Sequence, residues 1–308
     1  MQKDFFKKRF LIGLTLDTTI DELDAFLENY SYYIDEIYFS LPLGEKFQSR
    51  KAIHDQFLKT EKVDLFWQLL NCIKKHNMKL ELVLNTIKLN KTDIDNSFKL
   101  LKIKKVDVDS VSIIDDYYDW VMPYISTQKL VCSYNNGIRS ISALGKIKNQ
   151  YDVYVIGNAA IRDIELHRHI HENLGKQVSL LLNNGCSFNC GWCGRSKNCR
   201  DVFMGNLSHT SIEQLYAMQS VFPHELRNGV IQHQFINTFK ISNRTSSLVY
   251  LKKCLDSYIN DECFSFVQKN VQNYSLWCRL AWFHPYFEKM DYTKIMHEKG
   301  KIKRKGER

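Results

Sequence analysis

The chain has 308 residues, 44% of them hydrophobic and 25% charged. That balance supports a buried core and excludes wholesale disorder. No run of about 18 apolar residues occurs, which excludes a hydropathic membrane span. The net charge of +9 comes mainly from three basic segments: KDFFKKRF (3–10), KLLKIKK (99–105) and KGKIKRKGER (299–308). They read as solvated surface or as a footprint for RNA.

The start, MQKDFFKKRFLIGL, is basic, but its apolar part is short and no small-residue cleavage site follows. It reads as a first strand, not a signal peptide, and the expected location is cytoplasmic. In a reducing compartment the nine cysteines point to metal or redox chemistry before disulfides.

In chain order, short apolar runs recur at Phe10–Leu16, Ile34–Leu41, Leu80–Leu84, Ser110–Ile114, Leu130–Ser133, Val153–Ile156 and Val178–Leu182, with a weaker eighth at Phe235–Ile241. Helical patterns fall between several of them. Thr19–Tyr30 has a threonine N-cap and an acidic first turn. Asp64–His76 carries apolar residues at i, i+3, i+4 and i+7. Thr210–Phe222 opens with Thr210 and Ser211, with Glu213 close behind.

Uniformly apolar strands alternating with helices predict a parallel sheet covered on both faces. Eight of them predict an α/β fold, a (β/α)8 TIM-like barrel, with an open doubly wound sheet as the alternative. The barrel is expected over 1–258, with a short C-terminal helical extension and basic tail over 259–308. Polar residues follow most of the runs, among them Asn85, Asp115, Asn135 and Asn158. At the C-terminal mouth of a barrel these would meet a ligand. Taken singly, each is equally a turn former.

The densest chemistry lies in residues 183–200, NNGCSFNCGWCGRSKNCR. Cys186, Cys190 and Cys193 form C-x3-C-x2-C, and Cys199 follows. Four thiols this close suit an iron–sulfur cluster, expected as 4Fe–4S, more than the two separated pairs of a structural zinc site. Zinc is the alternative metal. Arg195, Lys197 and Arg200 would offset thiolate charge. Cys72 and Cys132 fall on core positions, while Cys254, Cys263 and Cys278 are alternatives to Cys199 as fourth ligand.

C-x3-C-x2-C is also the motif of radical S-adenosylmethionine enzymes, where three cysteines leave one iron of the cluster open for that cofactor. Those enzymes carry it after the first barrel strand. Here it follows the seventh, and residues 194–308 are too few for six further βα units. His167, His169 and His171 lie on one predicted helix, expected to face solvent or a partner. His209, His233 and His284 are candidate acid/base groups.

A second motif, FKISNRTSSLVYLKKCLDSY at 239–258, resembles the K-I-x-G-R segment of the peptidase U32 family. Lys240, Ile241 and Arg244 match, and Asn243 stands in the glycine position, where Asn best tolerates a left-handed backbone. Val155–Asn158 is similar to the short strand before that family's cysteine region. The cysteines here are more compactly spaced.

The resemblance implies a barrel bearing an iron–sulfur cluster. It also implies an enzyme of the oxygen-independent hydroxylation type or another redox reaction, on a small-molecule or RNA-borne substrate, with an electron donor or partner protein. Protease activity is not expected, since no Ser/His/Asp spacing or H-E-x-x-H stands out. Lys240 and Arg244 would bind an anionic group, the alternative being ion pairs with Asp115 or Asp116. Asn85, Asn135 and Asn158 would orient the substrate. The remaining alternatives are a radical S-adenosylmethionine enzyme with unusual element order and a non-catalytic metal knot serving as a partner or maturation subunit.

Overall fold

The structure, a computed structural model, describes residues 3–48, 51–157, 160–182, 221, 225–226, 231, 233–242 and 247–260. Eight parallel strands close into a barrel in simple sequential order. They are β1 (Phe10–Gly13), β2 (Ile34–Phe39), β3 (Lys79–Leu84), β4 (Ser110–Ile113), β5 (Lys129–Cys132), β6 (Val153–Ile156), β7 (Gln177–Leu181) and β8 (Thr238–Ile241). Pairing of Leu11 with Lys240 joins β1 to β8 and leaves no free edge. The expected (β/α)8 architecture is therefore present, and the open sheet is excluded.

The principal helices are α1 (Ile20–Tyr30), α2 (Lys51–Phe57), α3 (Thr60–Lys75) and α4 (Lys91–Ile103). Shorter ones follow: α5 (Tyr118–Val121), α6 (Ile141–Leu144) and α7 (Ile164–Arg168), and the last is α8 (Leu248–Asn260). Local chemistry sets several ends. Thr19 caps α1 reciprocally: its hydroxyl accepts from the Glu22 backbone N–H, and the Glu22 carboxylate accepts from that of Thr19. Asn90 and Asp93 repeat the device on α4. Just past α3, Asn77 takes a left-handed conformation (φ 53) that stops the helix.

The outer faces of the strands and the inner faces of the helices form one continuous apolar layer. Phe10, Ile12, Leu27, Ile37, Phe66, Leu69, Leu82 and Leu180 are all essentially inaccessible within it. Burial of both strand faces is why the runs read as mainly apolar stretches.

The eighth run is shorter than its sequence suggests: Phe235 belongs to a 3-10 turn (His233–Phe235), and the strand starts at Thr238. The Arg9 guanidinium donates to the carbonyls of His233, Ile236 and Asn237, holding them away from a sheet ladder. Among the described residues no helix is long and apolar enough to cross a membrane. Apart from Val221, the predicted helix over 210–222 lies outside the described residues, as does the extension beyond residue 260.

Candidate functional site

Side chains alternate across each strand, so the register determines which positions point into the barrel. They are Leu11 and Gly13, Glu36 and Tyr38, Glu81 and Val83, Ser110 and Ser112, Val131, Val153 and Val155, Ser179 and Leu181, and Lys240. Bulky branched residues ordinarily fill such a core. Here β5 and β6 supply a valine cluster, while β2, β3, β4 and β8 supply two glutamates, two serines and a lysine, all buried.

Four of these polar residues, Glu36, Glu81, Ser110 and Lys240, pair with one another across the barrel. Lys240 Nζ donates to both carboxylate oxygens of Glu81, at 2.6 and 2.9 Å. Its ammonium also lies 4.3 Å from the centre of the Tyr38 ring, a cation–π contact strengthened by desolvation. Tyr38 in turn donates its hydroxyl proton to the Ile241 carbonyl at 2.5 Å. Ser110 donates to Glu36 at 2.6 Å.

Burial, then the nearby negative charge of Glu81, push the Glu36 carboxyl up to about 8, against the opposing pull of Ser110 and Lys240. At neutral pH Glu36 is therefore mostly protonated. With Glu81 paired to Lys240, the described inward residues carry no uncompensated charge. The chemical capacity of this column is a proton exchangeable near neutrality beside a cation that an incoming anion can share.

The mouth above it is polar on one side. Asn85, just after β3, donates its amide to Ser133 Oγ at 2.9 Å, and Asn135 donates to the Asn85 carbonyl at 2.8 Å. Two of the predicted mouth residues thus meet, though they lie on different βα loops. On the other side Tyr134 packs over the valine cluster. Gly157 makes room for it, since a Cβ there would come within 3.0 Å of the Tyr134 ring and 3.2 Å of Leu181.

Leu182 follows β7 directly, and its carbonyl accepts from the Val221 N–H at 2.7 Å. Leu182 is itself tied to β8 through the Lys240 carbonyl. Nearby, Arg162 grips the buried Glu225 with two parallel hydrogen bonds of 2.7 and 2.8 Å. Leu182 and Val221, which flank the cysteine-bearing stretch in the sequence, therefore meet at the C-terminal end of β7, next to β8.

Lys240 points into the barrel as an inward β8 residue, but its partner is Glu81, not Asp115 or Asp116. Asp115 instead accepts hydrogen bonds from the Lys148 backbone, the Asn149 amide and the Tyr151 hydroxyl, tying the end of β4 to the loop before β6. His167 corrects a second expectation: it is buried, with Nε2 hydrogen-bonded to the Ala160 carbonyl at 2.9 Å, and does not face solvent. After α7 the helix widens into a π-turn over His169–Asn173. Cys254 packs in the apolar layer under α8.

Arg244, Asn158, Cys186, Cys190, Cys193, Cys199, Cys263 and Cys278 lie outside the described residues. Sequence reasoning missed Glu36, Glu81 and Tyr38. The available signal was a charged residue inside an apolar strand at the same parity as its inward neighbours, in IDEIYF and KLELVL.

No protein-family model and no curated protein matches the chain. Among solved structures it is similar to a U32 peptidase at 12% identity and a TM-score of 0.45, over 77% of this chain and 93% of that one. It is similar to a protein from Aquifex aeolicus at 10% and 0.43, over 91% and 98%. It is also similar to a chain of the tryptophan synthase complex from Pyrococcus furiosus at 9% and 0.42, over 83% and 94%. The barrel is established by its own closed strand order, independently of these similarities.

Proposed function

We propose that this chain is an iron–sulfur enzyme of the U32 type, carrying out an oxygen-independent hydroxylation or related redox reaction on a small-molecule or RNA-borne substrate. The observation that carries the reading is that Leu182 and Val221, the described residues that flank the cysteine-bearing stretch of sequence, meet each other and β8 at the end of β7, above the Glu36–Glu81–Lys240 column. The donor set suits the group: four thiols within one short segment, flanked by glycines and cations. Cys186, Cys190, Cys193 and Cys199 would hold the cluster, which would supply one-electron transfer from an electron donor.

The remaining work falls to the chain's own side chains. Lys240, with Arg244, attracts a carboxylate or phosphate on the substrate, and Glu81 holds the ammonium in place until that anion shares it. Glu36 stores a proton at neutral pH and returns it when charge changes nearby. Asn85 and Asn135 orient polar groups, and Tyr134 keeps water from the valine side.

Anaerobic purification with iron, sulfide and zinc analysis tests the reading. About four irons and four sulfides per chain are expected, lost in Cys190→Ser and in Cys199→Ala. S-adenosylmethionine should leave the reduced cluster's EPR signal unchanged. A colourless, zinc-loaded protein sinks the redox reading. A cluster that survives Cys199→Ala and responds to S-adenosylmethionine replaces it with radical chemistry.

A further inference from the structure

Away from the barrel mouth, α1 and α3 pack side by side, and three residues of different ligand chemistry converge between them. Cys72 and His76 are four residues apart, so both side chains lie on one face of α3 and its C-cap. Asp24 of α1 faces them. Its Oδ1 lies 2.8 Å from His76 Nε2 and 3.6 Å from Cys72 Sγ. The three donor atoms all fall within 4.8 Å of one another. We infer that Asp24, Cys72 and His76 form a second metal site, for a borderline divalent transition ion such as Zn2+, separate from the cysteine cluster.

The geometry is close to what such an ion needs. Zinc binds thiolate at about 2.3 Å and imidazole or carboxylate at about 2.0–2.2 Å, so tetrahedral ligand atoms lie roughly 3.3–3.6 Å apart. The sulfur–oxygen separation already fits. The histidine–carboxylate contact must open by about half an ångström and the sulfur–imidazole separation, within 4.8 Å, must close on the ion, which side-chain rotations supply.

Charge also balances. The thiol proton leaves to solvent on binding, and thiolate plus carboxylate then neutralise a divalent cation while the imidazole stays neutral. A mixed S, N, O set disfavours Mg2+ and Ca2+, which take oxygen ligands. Cys72 is 3% exposed, which shields the soft ligand. The Asp24 side chain is 49% exposed, leaving the outer side open to a water as fourth ligand. A thiol nucleophile is a poorer reading, because the sulfur meets the carboxylate and not the imidazole.

The test is a zinc titration of the full chain against a chelator of known affinity, comparing wild type with Asp24→Asn and His76→Ala. Cys72 is buried and its replacement risks the fold, whereas Asp24 is half exposed. Circular dichroism confirms that each variant is folded. Wild type is expected to bind one equivalent more than either variant, or to hold that equivalent at least ~100-fold more tightly, since even outer-shell losses cost 10–100-fold. Iron and sulfide content should not change. Zinc should raise the melting temperature of wild type and not of Asp24→Asn. Unchanged stoichiometry and affinity in both variants overturns the site.

Discussion

The two faces of the barrel strands solve burial differently. Outward positions such as Ile12, Ile37, Leu82 and Leu180 join one apolar layer with the helices. Inward positions on β2, β3, β4 and β8 carry charge and hydroxyls. An apolar interior would serve stability as well or better, since replacing a buried ion pair with well-packed hydrophobes is often neutral or stabilising. The outer layer therefore holds the barrel, and under the proposed function the polar column serves the site beneath the mouth.

The largest effect that tests this contrast comes from halving the ion pair. Glu81→Ala leaves the Lys240 ammonium buried without its carboxylate and should cost about 3–5 kcal/mol in urea unfolding. Replacing both partners, Glu81→Leu with Lys240→Met, should recover most of that stability while leaving activity absent. If the double variant is as unstable as the single one, the pair is a structural prop and the contrast fails.

A second effect depends on pH. The Glu36 carboxyl is raised in the folded chain to about 8 from its ordinary 4.5, so the folded state holds the extra proton between those values. The stability it contributes is full below about pH 4.5 and is lost as pH rises towards 8. Subtracting the unfolding free energy of Glu36→Gln from that of wild type at each pH should give a difference that falls across this window and flattens above it. A difference independent of pH would place Glu36 in water or in a permanent ion pair.

The smallest effect comes from adjacent residues on β7. Ser179 faces inward, and its hydroxyl has no hydrogen-bond partner among the described residues. Ser179→Ala should be neutral or stabilising by up to about 1 kcal/mol, because an unsatisfied buried hydroxyl is costly. Its neighbour Leu180 faces the apolar layer, and Leu180→Ala should cost about 2–5 kcal/mol. Equal losses at the two positions would mean that both faces are packed alike.

Much of the fold was legible in the residues. Each strand run overlaps a strand, because burial on both faces leaves a mainly apolar signature. The Thr19 cap of α1 is where its side chain predicts. The end of β8 was not legible, since Arg9 sits far away in sequence and withdraws the carbonyls of Ile236 and Asn237 from the ladder. Asn85 and Asn135 announced a polar mouth by position alone. Asp115 carried the same signal, yet its carboxylate ties down a loop, because the partner groups at Lys148, Asn149 and Tyr151 cannot be inferred from a strand end.

By itself the sequence determined the alternation of strands and helices, the helix caps and the concentration of thiols after the seventh strand, all of which depend on near neighbours in the chain. Only the tertiary structure decided that Lys240 meets Glu81, 159 residues away, and that Glu36 lies close enough to feel the same charge. Barrel closure and strand stagger set which inward residues share a height, and no local pattern carries that information.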